Sequence, residues 1–447
     1  MLDHVRRPAP AIHTGVVAQM AQVQPSVRGA VPVDRSAPQP QGPVRIVPAR
    51  RPSHLGDAGF ARLLGVEALV VVVLAVVGVA RWVLIAGGVV LVLGLAVLLI
   101  RVRGRWWTDL LALRWHYYRR KRRHGPSGSG RPGVAAVTAG APTQRDPSLV
   151  ALRSLVPDLT VATYHDKRDD SIGVLRDEAG WFVITQLIPA GQYDVQPPLA
   201  SLAQTLRQAR QPGVTLQVVV HTVATPTVEI DPRNLCVSSY QELLGVSGPI
   251  PADRTVWVVV RVNADALGVA APEFDGADGA DLGAWATSIV ADLAQRIPRS
   301  LRGEPVQCRI LTARDAVEAL VRSLDLEQPA TAGDATGEAW DHWRSERLLH
   351  ASFWMRGWPE PPHVAELLGG FATVPAAQTS VGLTLRPRGT ETDLHCLVRV
   401  ASQPNVLPQT CAALHQVANR FGAALLRLNG EQATAAYATA PSGGGLT

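Results

Sequence analysis

The longest apolar stretches of the chain are residues 63–80 and 82–100, separated by the single charged residue Arg81. Each stretch is close to the roughly 20 residues that a helix needs to cross about 30 Å of hydrocarbon, and together they are too long for one crossing. Backbone groups inside lipid must satisfy their own hydrogen bonds, so both stretches are expected to be helices. The pattern therefore predicts a transmembrane hairpin over residues 59–102 that turns at Arg81 and Trp82.

From residue 147 onwards the apolar positions follow the short periods of a globular domain. Short apolar or alternating segments that are bounded by turn residues predict strands at 159–165, 171–175, 181–188, 214–223, 255–262, 306–311, 379–385, 393–400 and 423–428. Helical periodicity with suitable ends predicts helices at 199–209, 281–297, 313–324 and 408–421. The predicted fold class is a membrane-anchored α+β protein, in which the two-helix transmembrane hairpin precedes a large mixed α/β cytosolic domain at 147–447.

The order of the predicted elements repeats within this domain. Residues 379–428 follow the same strand-strand-helix-strand order as residues 214–311, and a similar short strand follows the helix in both. This pattern favours a duplicated strand-strand-helix-strand unit, although such units also arise without duplication.

Three segments flank the hairpin and the domain. Residues 1–58 contain nine prolines and no sustained period, which predicts a disordered basic tail. Residues 103–124 combine aromatic and basic side chains, as expected for a helix lying at a membrane surface. Residues 125–146 open with a run rich in glycine, serine and proline, which predicts a flexible linker.

Positive charge is concentrated beside the predicted hairpin. The chain has a net charge of +6, with eight arginines against three acidic residues in 1–62, and eight arginines and one lysine against Asp109 in 101–124. The positive-inside rule therefore predicts a multi-pass inner-membrane protein with two spans and both termini in the cytoplasm. Anionic lipid attracts such clusters, so the basic character does not require nucleic acid as a partner.

Arginine and aromatic side chains near the ends of the hairpin suit the lipid headgroup region. The residues predicted to lie at this membrane interface are Arg81, Trp82, Arg103, Arg105, Trp106, Trp107, Arg119, Arg120, Lys121, Arg122 and Arg123.

The sequence carries no recognisable catalytic, cofactor or metal motif. Its four cysteines are scattered, as expected in a reducing cytoplasm. The strongest metal candidate is the set His395, Cys396, Cys411 and His415, but adjacent residues of a strand point to opposite faces. A structural role is therefore favoured for these side chains, and we predict no enzymatic activity and no cofactor.

Aromatic residues cluster again between residues 340 and 358, in a segment that is predicted to begin as a charged helix. The tryptophans here are Trp340, Trp343, Trp354 and Trp358. Tryptophan is enriched at the energetic centres of protein interfaces, so these four are candidates for a partner surface. The alternative is that the rings cover the domain's own core.

The whole layout resembles a known family. A basic proline-rich tail, a two-span hairpin, Arg103-Gly104-Arg105-Trp106, Ile172-Gly173-Val174 and the Gly180-Trp181 turn are similar to EccE, a membrane component of type VII (ESX) secretion. The resemblance implies a non-enzymatic structural subunit of the inner-membrane secretion complex. It also implies the membrane subunits EccB, EccC and EccD as partners, together with membrane lipids.

Two functions of other classes remain as alternatives. A mixed α/β domain facing the membrane would also suit a membrane-anchored, glycosyltransferase-like enzyme that acts on envelope or lipid-linked precursors. A lipid-tethered regulator would use the basic helix at 103–124.

Overall fold

The computed structural model describes residues 46–48, 101–102, 105–123, 147–166, 169–190, 197–209, 211–224, 235, 239, 242, 253–270, 279–326 and 336–444. The two predicted spans, the linker at 125–146 and all of the predicted tail except residues 46–48 lie outside these ranges. Within the ranges, no helix combines the length and the apolar character needed to cross a bilayer.

Nine helices are described. They are α1 (Trp107–Arg123), α2 (Pro147–Leu155), α3 (Leu199–Ala209), α4 (Ala264–Ala270), α5 (Gly279–Ser300), α6 (Ala313–Leu324), α7 (Val364–Phe371), α8 (Leu407–Arg420) and α9 (Gln432–Thr439). A single 3-10 turn at Pro361–His363 precedes α7.

The described strands form one large sheet and one small hairpin. The sheet contains β1 (Ile46–Pro48), β4 (Thr160–His165), β5 (Ser171–Asp177), β6 (Gly180–Pro189), β7 (Val214–Val223), β8 (Asp253–Asn263), β9 (Val306–Ile310), β10 (Gly337–Glu338), β11 (Trp343–Arg344), β12 (Leu349–Gly357), β13 (Gln378–Arg388), β14 (Glu391–Ser402) and β15 (Ala424–Arg427). The hairpin pairs β2 (Arg101–Val102) with β3 (Arg105–Trp106).

The strand order of the large sheet is equivalent when it is followed inwards from either edge. Its order is β4-β5-β6-β8-β7 followed by β13-β14-β12-β11-β10, with β9 added beside β6 and β15 added beside β12. Antiparallel pairing of β7 with β13 joins the halves, for example Val220 opposite Val381. Each half runs through three strands, a helix, two strands, a helix, one strand and a final helix, and α4 is an addition to the first half. The repeat predicted from the sequence is thus present in the topology and extends further than the predicted unit.

Most predicted elements are found close to their predicted bounds. The three-strand meander is confirmed as β4, β5 and β6. The helix predicted at 281–297 runs further, from Gly279 to Ser300, with Pro298 inside its last turn. A further helix, α9, was not among the predicted elements and follows β15 at Gln432–Thr439.

The helix predicted at the start of the 340–358 segment is wrong. This segment contains the strands β11 and β12 instead. In β12 the side chains of Ala351, Phe353 and Met355 are buried at a period of two, and the strand pairs with β14 over six residues. Long-range pairing with a central strand therefore outweighs the helical preference of the charged residues before it.

Helices cover both faces of the sheet. On one face, alternate residues of β7, β8, β13 and β14 pack beneath α3, α5, α7 and α8. On the other face, Phe182, Trp257 and Val259 pack against α2, α6 and α9. Because both faces are covered, β7 and β8 contain long runs of consecutive buried residues instead of alternating buried and exposed ones.

Two arginines are buried at matching places in the two halves. Arg261 lies between Val260 and Val262 of β8, and Arg399 lies between Val398 and Val400 of β14. Each side chain is 1% exposed. Both point towards the face covered by α6 and α9, where the last helix of each half supplies an acceptor to the arginine of the other half.

The acceptors are backbone carbonyl groups, one in the last turn of α6 and one in the turn that follows α9. Arg399 Nη2 donates to the carbonyl of Ser323 in α6 at 2.5 Å, and Arg261 Nη1 donates to the carbonyl of Ser442, which follows α9, at 2.5 Å. The carbonyl end of a helix carries partial negative charge that favours a cation. The two halves are therefore joined by the sheet and also by these two hydrogen bonds, in which the buried arginine of each half binds a carbonyl group of the other half.

Two glycines of the opening meander lie where no side chain fits. A Cβ on Gly173 would come within 2.6 Å of the backbone of Thr312 and Ala313, at the start of α6. Gly180 has a φ of +145° and faces the carbonyl oxygen of Val262. These close approaches explain physically why the meander contains glycine at both positions.

Replacing Gly180 by alanine is expected to destabilise the protein by about 3 kcal/mol, because the new Cβ adds steric overlap to an unfavourable φ. The measurement is the thermal unfolding transition of the full chain in detergent. The control is Gly283→Ala in α5, where an added Cβ meets no atom within 4 Å. That substitution is expected to stabilise by up to about 1 kcal/mol, so equal transition temperatures for the two variants would contradict the prediction.

Candidate membrane and partner interface

One side of α1 is attached to the globular domain. Tyr117 is 7% exposed, its hydroxyl donates to the carbonyl of Glu338 at 3.4 Å, and its ring meets the ring of Trp340 edge-on at a centroid distance of 5.4 Å. Arg120 Nη2 donates to the carbonyl of Gly430 at 2.5 Å and lies 3.5 Å from Glu338 Oε1. The helix is thus held on the second half of the domain by one aromatic ring and one cation.

Glu338 is the anionic partner in this contact. Burial raises the pKa of its carboxyl group, whereas the nearby charge of Arg120 and the backbone N–H of Ala433 oppose that rise. Ala433 N donates to Glu338 Oε1 at 3.2 Å. The carboxylate therefore links α1 to the start of α9.

The opposite side of α1 exposes large apolar side chains. Leu111 is 49% exposed, Trp115 is 70% exposed and Tyr118 is 49% exposed. At roughly 100° per residue, these three lie within about 60° of one another and point away from Tyr117 and Arg120. The exposed residues Arg114 and Arg119 flank them, one on each side. An apolar stripe bordered by cations on a helix surface is typical of a helix that lies in a membrane interface.

A cavity of about 710 Å³ opens beside the inner side of α1. Tyr117, Trp343 and Tyr437 supply aromatic walls, and Glu338 and Asp177 supply carboxylates. Arg120 and Arg261 already contact those two carboxylates. Asp158, Glu178 and Asp265 also line the cavity, so its walls are aromatic and acidic, and two of its carboxylates are paired with arginines.

Three side chains of the candidate metal set pack in or against the hydrophobic core. Cys396 is buried in β14, where burial raises the pKa of its thiol, and Cys411 is buried in α8. The ring of His415 lies edge-on against Phe353 at a centroid distance of 5.2 Å. Across the ranges that the structure describes, no three histidine, cysteine or acidic side chains are arranged to hold a metal ion.

The predicted membrane-interface residues fall into three groups. Arg81, Trp82 and Arg103 lie outside the described residues. Arg105 and Trp106 form β3, and Trp107, Arg119, Arg120, Lys121, Arg122 and Arg123 belong to α1. Among those of α1 whose side chains are described, Arg119 is exposed and Arg120 binds the domain. The sequence alone does not show which side of α1 the domain covers, so it could not distinguish the exposed Trp115 from the buried Tyr117.

The four candidate partner tryptophans occupy different environments. Trp343 is 2% exposed and packs in the core beside His350, with ring centroids 4.9 Å apart. Trp340 is half-buried beneath Tyr117 and Gly430. Trp354 and Trp358 are half-buried, and their indole Nε1 atoms are buried without a hydrogen-bond partner among the described residues. Trp343 thus serves the core, and Trp354 and Trp358 keep part of their surface accessible.

Replacing Tyr117 by alanine is expected to loosen α1, because the buried ring contributes about 2 kcal/mol to docking. Trypsin cleavage after Arg119 should then become more than about tenfold faster, since cleavage follows the population of the detached helix. The matched control is Tyr118→Ala, which alters the neighbouring but exposed tyrosine. Equal cleavage rates in the two variants would show that Tyr117 does not hold the helix.

Comparisons with known proteins support the resemblance found in the sequence. The family model described as "Putative type VII ESX secretion system translocon, EccE" matches residues 250–355. These residues include β8, α5, β9 and α6 at the centre of the domain. The resemblance to the EccE family is therefore confirmed over this part of the chain.

The searches of curated proteins and of solved structures add little to this result. No curated protein matches the sequence. Among solved structures, aspartate kinase from Synechocystis is 13% identical, with a TM-score of 0.15 over 56% of this chain and 43% of that chain. This chain therefore spans less than half the length of that protein, and a likeness of this size carries no argument about fold or function.

Proposed function

We propose that this protein is a non-enzymatic structural subunit of a type VII secretion complex in the inner membrane. Its α/β domain is held on the cytoplasmic side by a two-span hairpin at residues 59–102. The observation that carries the proposal is the match of the EccE family model to residues 250–355. The helix α1 adds physical support, because it joins the predicted hairpin to the domain and exposes an apolar stripe.

The proposed partners are the membrane subunits EccB, EccC and EccD. A scaffold needs accessible aromatic surface more than it needs activated side chains. Trp354 and Trp358 offer such surface, since both are only half-buried. We place a partner contact there, and assign Trp340 and Trp343 to the docking of α1 and to the core.

The test is affinity purification of the full chain from its own membranes in mild detergent, with the tag at the N-terminus. We expect an ATPase subunit and further membrane subunits to be recovered with it. Recovery of the protein alone, under conditions that keep other membrane complexes intact, would overturn the proposal. A reporter fused after Thr447 tests the topology separately, and its exposure outside the cell would contradict the two-span arrangement.

A paired substitution tests the partner surface. Trp358→Ala should reduce co-purification of the partner subunits by about tenfold, which is the typical size of a hot-spot loss. Val150→Ala is the control, since Val150 is 57% exposed on α2. Both variants must first show the unfolding transition of the parent protein. Equal recovery of the partner subunits with both variants would show that Trp358 does not contribute to the interface.

A further inference from the structure

The globular domain is attached at two points to the chain that leads into and out of the predicted hairpin. Before it, β1 pairs in parallel with β14, with Ile46 opposite Thr392 and Pro48 opposite Leu394. After it, α1 contacts Glu338 and Gly430. Both attachment points belong to the second half of the domain. The described segments on either side of residues 49–100 therefore contact the same half of the domain.

The β1 contact fills a place that β12 leaves open. β12 pairs with β14 only as far as Trp354 opposite Leu397, and then continues beside β15. The edge of β14 beyond this point would otherwise present unpaired backbone groups. Because β1 occupies part of this edge, the chain before the hairpin is fixed to the sheet rather than tethered loosely to it.

The α1 contact determines which side of that helix remains accessible. Tyr117 and Arg120 face the domain, and Leu111, Trp115 and Tyr118 lie on the far side of the helix. Arg114 stands 5.9 Å from the ring of Tyr118, so cation and aromatic ring are adjacent at the border of the stripe. The helix is therefore positioned between the domain and whatever covers the stripe.

We infer that the stripe of α1 lies on an anionic lipid surface, and that α1 together with β1 holds the second half of the domain towards the membrane in one orientation. Leu111, Trp115 and Tyr118 enter the headgroup region, while Arg114 and Arg119 meet lipid phosphates. Charge complementarity and the position of α1, seven residues after the second apolar run, favour lipid over a protein groove. The inference rests on the membrane attachment in the proposed function and adds the surface, the lipid charge and the orientation.

The experiment measures the depth of a fluorescent probe in the full chain, reconstituted in nanodiscs. One protein carries the probe at Leu111→Cys, and its control carries it at Val150→Cys; the two native side chains are 49% and 57% exposed. The unsubstituted chain, labelled in the same way, corrects for its own cysteines. The nanodiscs contain phosphatidylcholine with or without phosphatidylglycerol, and a lipid spin-labelled near the headgroup serves as quencher.

In anionic nanodiscs, quenching at position 111 is expected to exceed quenching at position 150 by roughly threefold or more. The double substitution Arg114→Glu and Arg119→Glu, in the Leu111→Cys protein, should bring that ratio close to one. Equal quenching at 111 and 150 would overturn the inference. Strong quenching at position 111 that is the same with and without phosphatidylglycerol, and the same with and without the two arginine substitutions, would overturn the assignment of an anionic surface. Subunit recovery in detergent is a separate readout, so the failure of the proposed function can be told apart from the failure of this inference.

Discussion

Asp177→Ala is expected to lower the free energy of unfolding by about 3–5 kcal/mol, because it leaves the buried cation Arg261 without its anion. The carboxylate of Asp177 contacts Arg261 Nη2 and accepts from the Tyr437 hydroxyl at 2.8 Å. It also accepts from the backbone N–H groups of Ala179 and Gly180. One side chain therefore joins β5, the turn before β6, β8 and α9.

The neighbouring residue provides the control for this prediction. Glu178 occupies the same turn but is exposed, so Glu178→Ala should change stability by no more than about 0.5 kcal/mol. The double variant Asp177→Leu with Arg261→Met should recover only part of the loss, because it removes the unpaired cation but leaves the donors that Asp177 accepted from without an acceptor. The measurement is thermal unfolding in detergent. A loss for Asp177→Ala no larger than that for Glu178→Ala would show that the pair does not stabilise the fold.

Acid is expected to destabilise the domain strongly below about pH 6.5. Burial lowers the pKa of His221 to about 3, with contributions from the charges of Arg399 and Arg322. Burial also lowers the pKa of His350 well below its usual value, with Arg399 and His221 contributing. Both histidines pack on the sheet face that faces α6, in the layer that holds Arg399.

The sign of the pH effect follows from proton binding. An unfolded histidine takes up a proton near pH 6.5, whereas these two buried rings stay neutral until much lower pH. The unfolded state therefore binds more protons as the pH falls, and each ring removes about 1.4 kcal/mol of stability per pH unit. Between pH 6.5 and 4.5 the His221 ring is expected to remove about 2 kcal/mol, and protonation of unfolded His350 adds to that loss.

His221→Phe tests this account by removing one of the two titrating groups. The ring of His221 stacks on Trp257 with centroids 5.8 Å apart, and a phenyl ring can keep that contact. The histidine contribution to the slope of stability against pH should fall by about half. His363→Phe is the control, because His363 is exposed in the 3-10 turn before α7. An unchanged slope in His221→Phe would show that His221 does not cause the acid sensitivity.

The apolar pattern located most helices and strands because burial of one face repeats at a fixed period along each element. The strands at 214–223 and 255–262, and the helix at 313–324, were therefore predicted within a residue or two. The start of the 340–358 segment was mistaken for a helix, because the pairing of β12 with β14 depends on residues about 50 positions away. The local pattern of apolar and polar residues does not indicate such a long-range contact.

Local pattern also did not reveal how α1 is docked. The contact between Tyr117 and Glu338 joins residues 221 positions apart, and the Arg120–Gly430 contact joins residues 310 positions apart. Tyr117 and Tyr118 are adjacent aromatic residues with opposite environments. Only the position of the second half of the domain decides which ring is buried and which remains accessible.

The sequence by itself determined the class of the protein: two runs with membrane-spanning length, basic flanks, a mixed α/β domain without a catalytic motif, and a resemblance to EccE. The first three of these follow from composition and period, which are local properties, and the resemblance is carried by the layout and a few short motifs. The tertiary structure decided how two similar halves pair within one sheet and which carbonyl groups bind Arg261 and Arg399. It also decided which side of α1 is exposed. These depend on contacts between distant residues, which form only when the whole sheet has assembled.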